Sequence, residues 1–294
     1  MPDAPAGRGG GLPLRHAAIL LGVSTIWGVN SVLSKAAVEI VPPLAFLTVR
    51  FAIVLLLSGW MMRGLGARWR TIGLVALMTG PLHFGTQFVG LSWASDLSPM
   101  VIAMQLWIPF SVLFSALFLK EPVAPRRAAG VAVSFAGVTL MAVEPSVLGQ
   151  LDAFAMVALG AAAYAGASVL IARAGRIDPI QMQLWVAVAS VPTLGLASGV
   201  LEAGQVAAFA GAGWLVWLAI LFGGLVSSMV ANAAMWSILQ RHPVSQVTPW
   251  LQASPIVAVA GGVLFLGDVM TTQLALGMAV SLAGVILVAL ARAD

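Results

Sequence analysis

The segment from Phe118 to Ala142, FLKEPVAPRRAAGVAVSFAGVTLMA, returns from Phe265 to Ala289 as FLGDVMTTQLALGMAVSLAGVILVA, 147 residues further on. Between Gly130–Ala142 and Gly277–Ala289, nine of thirteen residues are identical. Gln105 and Gln252 stand at the same offset, each early in an apolar run of helix length. A repeat of this length constrains the fold more than any local signal, because both copies must build the same unit. Two similar halves are therefore expected, residues 15–145 and 146–294. The preceding residues 1–14, rich in Gly and Pro, are expected to form a disordered cytoplasmic tail. No signal-peptide pattern follows it: the first apolar stretch ends without a small-residue cleavage site.

What surrounds the repeat is lipid-compatible sequence. Of 294 residues, 61% are hydrophobic and 8% charged, against about 25% charged in soluble domains. Mean hydropathy is +1.03. A net charge of +4 spread over the whole chain makes no basic patch, which excludes a nucleic-acid partner. The lack of cysteine removes disulfides, thiolate metal sites and thiol catalysis. No metal or cofactor signature is present, and no glycine-rich phosphate loop for ATP-driven work.

A membrane-spanning helix needs about 20 mainly apolar residues. Ten such stretches are read, at 17–38, 44–62, 70–92, 98–119, 126–143, 153–172, 179–199, 212–239, 244–266 and 271–291. With the N terminus inside, Arg8, Arg15, Arg63, Arg68, Arg70, Lys120, Arg126, Arg127, Arg173, Arg176, Arg241 and Arg292 all become cytoplasmic. That is twelve of the fourteen basic residues. Both termini are then cytoplasmic. Five helices per half is an odd number, so the second half must cross in the opposite sense. The expected fold is an all-α polytopic membrane protein, ten transmembrane helices arranged as a 5+5 inverted repeat. Such folds place the substrate near the midplane between halves. One chain of ten helices suffices for a path, so a monomer is expected to be functional. Its expected partners are a small-molecule substrate and membrane lipid.

Polar groups are costly in lipid and turn toward the protein interior. Trp27, Asn30 and Ser34 lie about a turn apart on the first helix, and His83 and Gln87 share a face of the third. Gln105 and Trp107 fall in the fourth, Tyr164 in the sixth, Asn232 (on one face with Ser228) in the eighth, and Trp250 and Gln252 in the ninth. These eleven residues are the candidate substrate contacts. Intramembrane Asn, Gln and Ser also serve as plain interhelical ties. Arg50 is expected to pair with a carbonyl or an outer acid, and Lys35 to snorkel outward. Pro81, Pro109, Pro192, Pro249 and Pro255 are expected to bend helices near these side chains. Gly130 and Gly137, mirrored by Gly277 and Gly284, line one face of the fifth and tenth helices and read as a close structural contact. No Asp or Glu lies deep in a helix, so a proton relay would fall to His83, and facilitated transport stays equally open.

TIWGVNSVLSKAA (residues 25–37), LAFLTVRFAIVLLL (44–57), the run from Phe84 through Pro109 to FLKE, and GVAVSFAGVTL, in that order and with a weaker second copy, resemble the ten-helix EamA branch of the drug/metabolite transporter superfamily. Within it the chain looks most similar to the YddG-type exporters of aromatic amino acids and methyl viologen. The resemblance implies a central cavity between the halves, export of small metabolites and a bacterial inner-membrane location. The seventh helix, PIQMQLWVAVASV, has no arginine matching Arg50, so any role of Arg50 is not duplicated. The reading that follows is a secondary transporter, not an enzyme, exporting small amphipathic metabolites, amino acids including aromatic ones, by alternating access. A multidrug or organic-cation exporter, a lipid flippase and an intramembrane enzyme are the alternatives.

Overall fold

The computed structural model describes residues 12–290 apart from 65, 121, 122, 175, 176, 240, 243–246, 248 and 249. Most of the expected tail, Arg8, Glu121, Arg176, Pro249 and Arg292 lie outside the described residues. Regular structure among the described residues is all helical. The main helices are α1 Leu14–Val38, α2 Pro43–Ser58, α3 Trp69–Trp93, α4 Leu97–Leu119 and α5 Pro125–Ala142 in the first half. In the second they are α6 Leu151–Ala174, α7 Pro179–Leu201, α8 Trp214–Met235, α9 Ala253–Leu266 and α10 Thr272–Leu290. Prolines at the first turns of α2, α5 and α7 start these helices, where a missing N–H costs nothing. Asp178 caps α7 by accepting from the Ile180 N–H at 2.9 Å.

Eight of these helices are long and apolar enough to cross a membrane. The chain is thus an all-α polytopic membrane protein. The other two are α5, whose first turn carries Arg126 and Arg127, and α9, whose run Ala253–Leu266 is shorter. Helix α5 lies along α10, and here the paired glycines act. A Cβ on Gly130 would meet the Val288 amide nitrogen at 2.8 Å, and one on Gly137 the Gly277 carbonyl oxygen at 2.6 Å. The two backbones touch where side chains are absent, as expected of small residues seven apart.

Several helices are interrupted, and the interruptions keep the repeat register. Widened π turns occupy Met78–Phe84 in α3 and Phe222–Ala231 in α8, and Ser115–Leu119 in α4 and Gly262–Leu266 in α9. The last two are 147 residues apart, as are the left-handed residues that end them, Lys120 (φ 54°) and Gly267 (φ 80°). Pro81 sits inside the first π turn, where its missing N–H removes one helical bond. Pro109 cannot donate to the Gln105 carbonyl. The Ile108 N–H takes that carbonyl instead at 3.1 Å, and α4 breaks at Gln105–Leu106. Pro192, by contrast, leaves α7 continuous.

One end of the bundle is tied by two acids, Asp268 buried and Glu202 partly buried. The Asp268 carboxylate, 6% exposed, accepts from the Leu97 N–H at 3.1 Å, the Ser98 N–H at 2.7 Å and the Ser98 hydroxyl. Glu202 accepts from the Leu44 and Ala45 N–H groups at 2.8 and 3.0 Å. The first turns of α4 and α2 are therefore capped from 170 and 158 residues away. Lys35 belongs to this end. It does not snorkel: its ammonium is buried, donating to the Ala94 carbonyl at 2.5 Å and to Glu39 at 2.8 Å. At the opposite end His16 Nδ1 and His242 Nε2 share a hydrogen bond at 2.8 Å.

Candidate functional site

The two glutamines that the repeat pairs in sequence meet in space. Gln105 Nε2 donates to Gln252 Oε1 at 2.9 Å. Both stand at a helix break, Gln105 ending the first segment of α4 and Gln252 preceding α9. Beside them, the Gln87 side-chain amide points its nitrogen at the Met104 sulfur, 2.8 Å away, while its oxygen is buried without a partner.

Two residues beyond Gln105, past the break in α4, Trp107 packs edge-on against Tyr164 with ring centroids 5.4 Å apart. Tyr164 in turn lies 4.8 Å from the His83 ring, whose Nδ1 is 2.8 Å from the Gly160 carbonyl oxygen and so donates to it. The π turn of α3 presents His83 and Phe84 consecutively, their rings 4.8 Å apart. Phe84 carries the line on to α2, for the Arg50 guanidinium lies 5.7 Å from its ring and 5.8 Å from that of Phe88.

Arg50 donates through Nη2 to the Gly223 carbonyl at 2.8 Å and to the Ser228 hydroxyl at 3.0 Å, in keeping with the carbonyl pairing expected of it. Asn30 reaches the same place from α1: a Cβ on Gly223 would lie 2.7 Å from Asn30 Oδ1 and 2.9 Å from Arg50 Cζ. Ser228 also borders a shallow crevice, too narrow to hold a water molecule, with Pro179, Ile180, Met229, Asn232 and Ala233.

Eight of the eleven candidates thus fall along one line through the bundle: Gln87, Gln105 and Gln252; then, through the chain from Gln105, Trp107, Tyr164 and His83; then Asn30 beside Arg50 and Asn232 beside Ser228. Trp27, Ser34 and Trp250 do not join it by any described contact. Ser34 is buried with its hydroxyl unpartnered, Trp27 offers its carbonyl to Ser31, and Trp250 has an exposed ring and a carbonyl that accepts from Ser24. The residues that complete the line, Met104, Phe84 and Phe88, carry no polar signal to single them out among so many apolar neighbours. Arg50 and Ser228 did carry one. No cluster of His, Asp or Glu able to hold a metal occurs among the described residues.

The sequence profile of the EamA-like transporter family matches residues 15–143 and, a second time, residues 153–290. The chain belongs to the EamA-like transporter family. It is thereby a secondary transporter of the drug/metabolite superfamily, and catalysis is not its work. This EamA-like protein is 26% identical over 294 residues to the uncharacterized transporter YvbV of Bacillus subtilis (strain 168), covering 94% of this chain and 92% of the relative. It is 24% identical over 280 residues to an uncharacterized transporter of Archaeoglobus fulgidus, covering 90% and 95%. A solved crystal structure superposes on it with a TM-score of 0.62 at 20% identity, over 93% of this chain and 96% of that one, and so shares its fold.

Proposed function

We propose that this EamA-like transporter exports small amphipathic metabolites, amino acids including aromatic ones, by alternating access between two halves. The observation that carries the reading is the hydrogen bond between Gln105 and Gln252. It joins the halves through equivalent side chains, and Trp107, two residues from Gln105 in the chain, belongs to a ring cluster with Tyr164 and His83. Amide groups beside aromatic faces suit a ligand with one polar end and one apolar or aromatic end. That chemistry also favours the substrates of the YddG-type exporters, whose sequences this chain resembles.

The proposed frame is ten crossings as a 5+5 inverted repeat, with both termini cytoplasmic in a bacterial inner membrane. The double family match, the 147-residue recurrence of the π turns and left-handed caps, and the basic-residue bias support it. The close seating of α5 along α10, itself of spanning length and hydropathy, supports counting α5 among the crossings. An organic-cation exporter is the second reading, since the ring cluster would suit a cation. The buried positive charge of Arg50 on the same line disfavours it. Purified protein in liposomes loaded with phenylalanine or with a sugar phosphate tests the reading. Phenylalanine moves and the phosphate does not; preferential phosphate movement would overturn it.

A further inference from the structure

Arg50 brings a full charge into the middle of the bundle, and no acid among the described residues pairs with it. It is 2% exposed. Its bonds to Gly223 and Ser228 use Nη2 alone; Nε and Nη1 are buried without a partner. Asn30 Oδ1, at the same spot, is likewise buried and unpartnered. A tie between α2 and α8 would need the two bonds that Nη2 makes. It would not need a charge, nor leave two donors of that charge unused. An unpaired buried cation is costly, and the cost falls when an anion arrives.

We infer that Arg50, Asn30 and Ser228 form a binding site for the carboxylate of a small apolar acid. The inference rests on the transport reading above and narrows it, from amphipathic metabolites to monocarboxylates. A single guanidinium matches one negative charge, which favours a carboxylate over a phosphate dianion. Nη1 and Nε supply the charged donors, and the Asn30 amide, turned over, supplies a neutral one. Phe84 and Phe88 stand against the guanidinium and would receive the apolar part. Gly223 lets Asn30 and Arg50 come together at this spot, because a side chain there would collide with both. Among the described residues no acid faces the cluster, so an α-ammonium group has no counter-charge here. The carboxylate, not the amine, is what the site recognises.

Thermal unfolding of the detergent-purified protein tests this without any need for transport. The probes are 3-phenylpropionate, phenethylamine and phenylalanine at equal concentrations. The acid and phenylalanine raise the unfolding midpoint with dose, and the amine leaves it unchanged. Arg50→Gln weakens the response to the acid at least about tenfold, the worth of one charge-assisted hydrogen bond. Should that variant not fold, Asn30→Asp gives the decisive result. It sets a carboxylate of nearly the same size beside Arg50, so the unliganded protein unfolds no earlier than wild type and its response to the acid is lost. The inference is overturned if the acid does not stabilise wild type, if the amine stabilises it equally, or if Asn30→Asp responds as wild type does. Phenylalanine flux without any response to the acid would discard this site and keep the transporter. A response to the acid without flux would keep the site and discard the transport reading.

Discussion

Asp268→Ala removes the acceptor that holds the first turn of α4 against the end of α9. Three donors lose their partner at once: the N–H groups of Leu97 and Ser98, and the Ser98 hydroxyl. Asp96 occupies the cap position of α4 but does not compensate, because its carboxylate accepts from Ser95 and Val269 instead. A buried donor left unsatisfied costs about 1–3 kcal/mol. The hydroxyl can rotate toward another acceptor, so the total is about 2–5 kcal/mol. At about 1.4 kcal/mol per factor of ten, local opening becomes about 30-fold more frequent or more. Amide hydrogen exchange of peptides spanning 94–104 and 262–270 reads this directly, with peptides from α5 and α7 as the unaffected reference. Asp268→Asn falls between, since it keeps one acceptor and turns a donor toward an N–H. Ser98→Ala, which deletes only the hydroxyl bond, raises exchange by less. Unchanged exchange at 97 and 98 in Asp268→Ala would refute the claim that this carboxylate closes that end.

Three further outcomes follow from the packing. Gly137→Leu forces a side chain into the Gly277 carbonyl and the backbone at Ser281, an overpacking cost of at least about 1–3 kcal/mol; its midpoint in detergent falls well below that of Ala136→Leu, the neighbouring control. Lys35→Met keeps the length of the side chain but drops the bond to the Ala94 carbonyl, lowering stability by about 1–2 kcal/mol in thermal unfolding. Tyr164→Phe keeps both ring contacts and near-normal phenylalanine flux, whereas Tyr164→Ala loses contacts worth about 1 kcal/mol each and moves aromatic substrates more slowly than alanine.

The helices were legible in the sequence because lipid demands long apolar runs, and the expected boundaries agree with the observed ones to within a few residues for most of them. The glutamine pair was legible for a different reason. Positions related by an internal repeat occupy equivalent places, so a shared offset of 147 residues implied a shared environment, and the two side chains proved to touch. The glycine faces of α5 and α10 were readable from spacing alone. Partners joined only by the fold were hidden. Asp268 accepts from an amide 171 residues earlier, and Glu202 from one 158 residues earlier; nothing near either acid in sequence marks it as a helix cap. Lys35 looked free to reach water because sequence does not place the Ala94 carbonyl within its reach. Trp250 was grouped with Gln252 by nearness in sequence, but two residues along a helix turn a side chain to another face, and its ring is exposed. Proline proved an uneven guide, since Pro109 breaks α4 while Pro192 leaves α7 whole.

The most direct test of a transport path joining the two halves is phenylalanine counterflow in sealed liposomes, with Gln105→Ala and Gln252→Ala beside wild type. Robust counterflow is expected in wild type and a comparable, sharp fall in both variants, because each removes one end of the same hydrogen bond. Counterflow indifferent to both substitutions, or none in wild type, would contradict it.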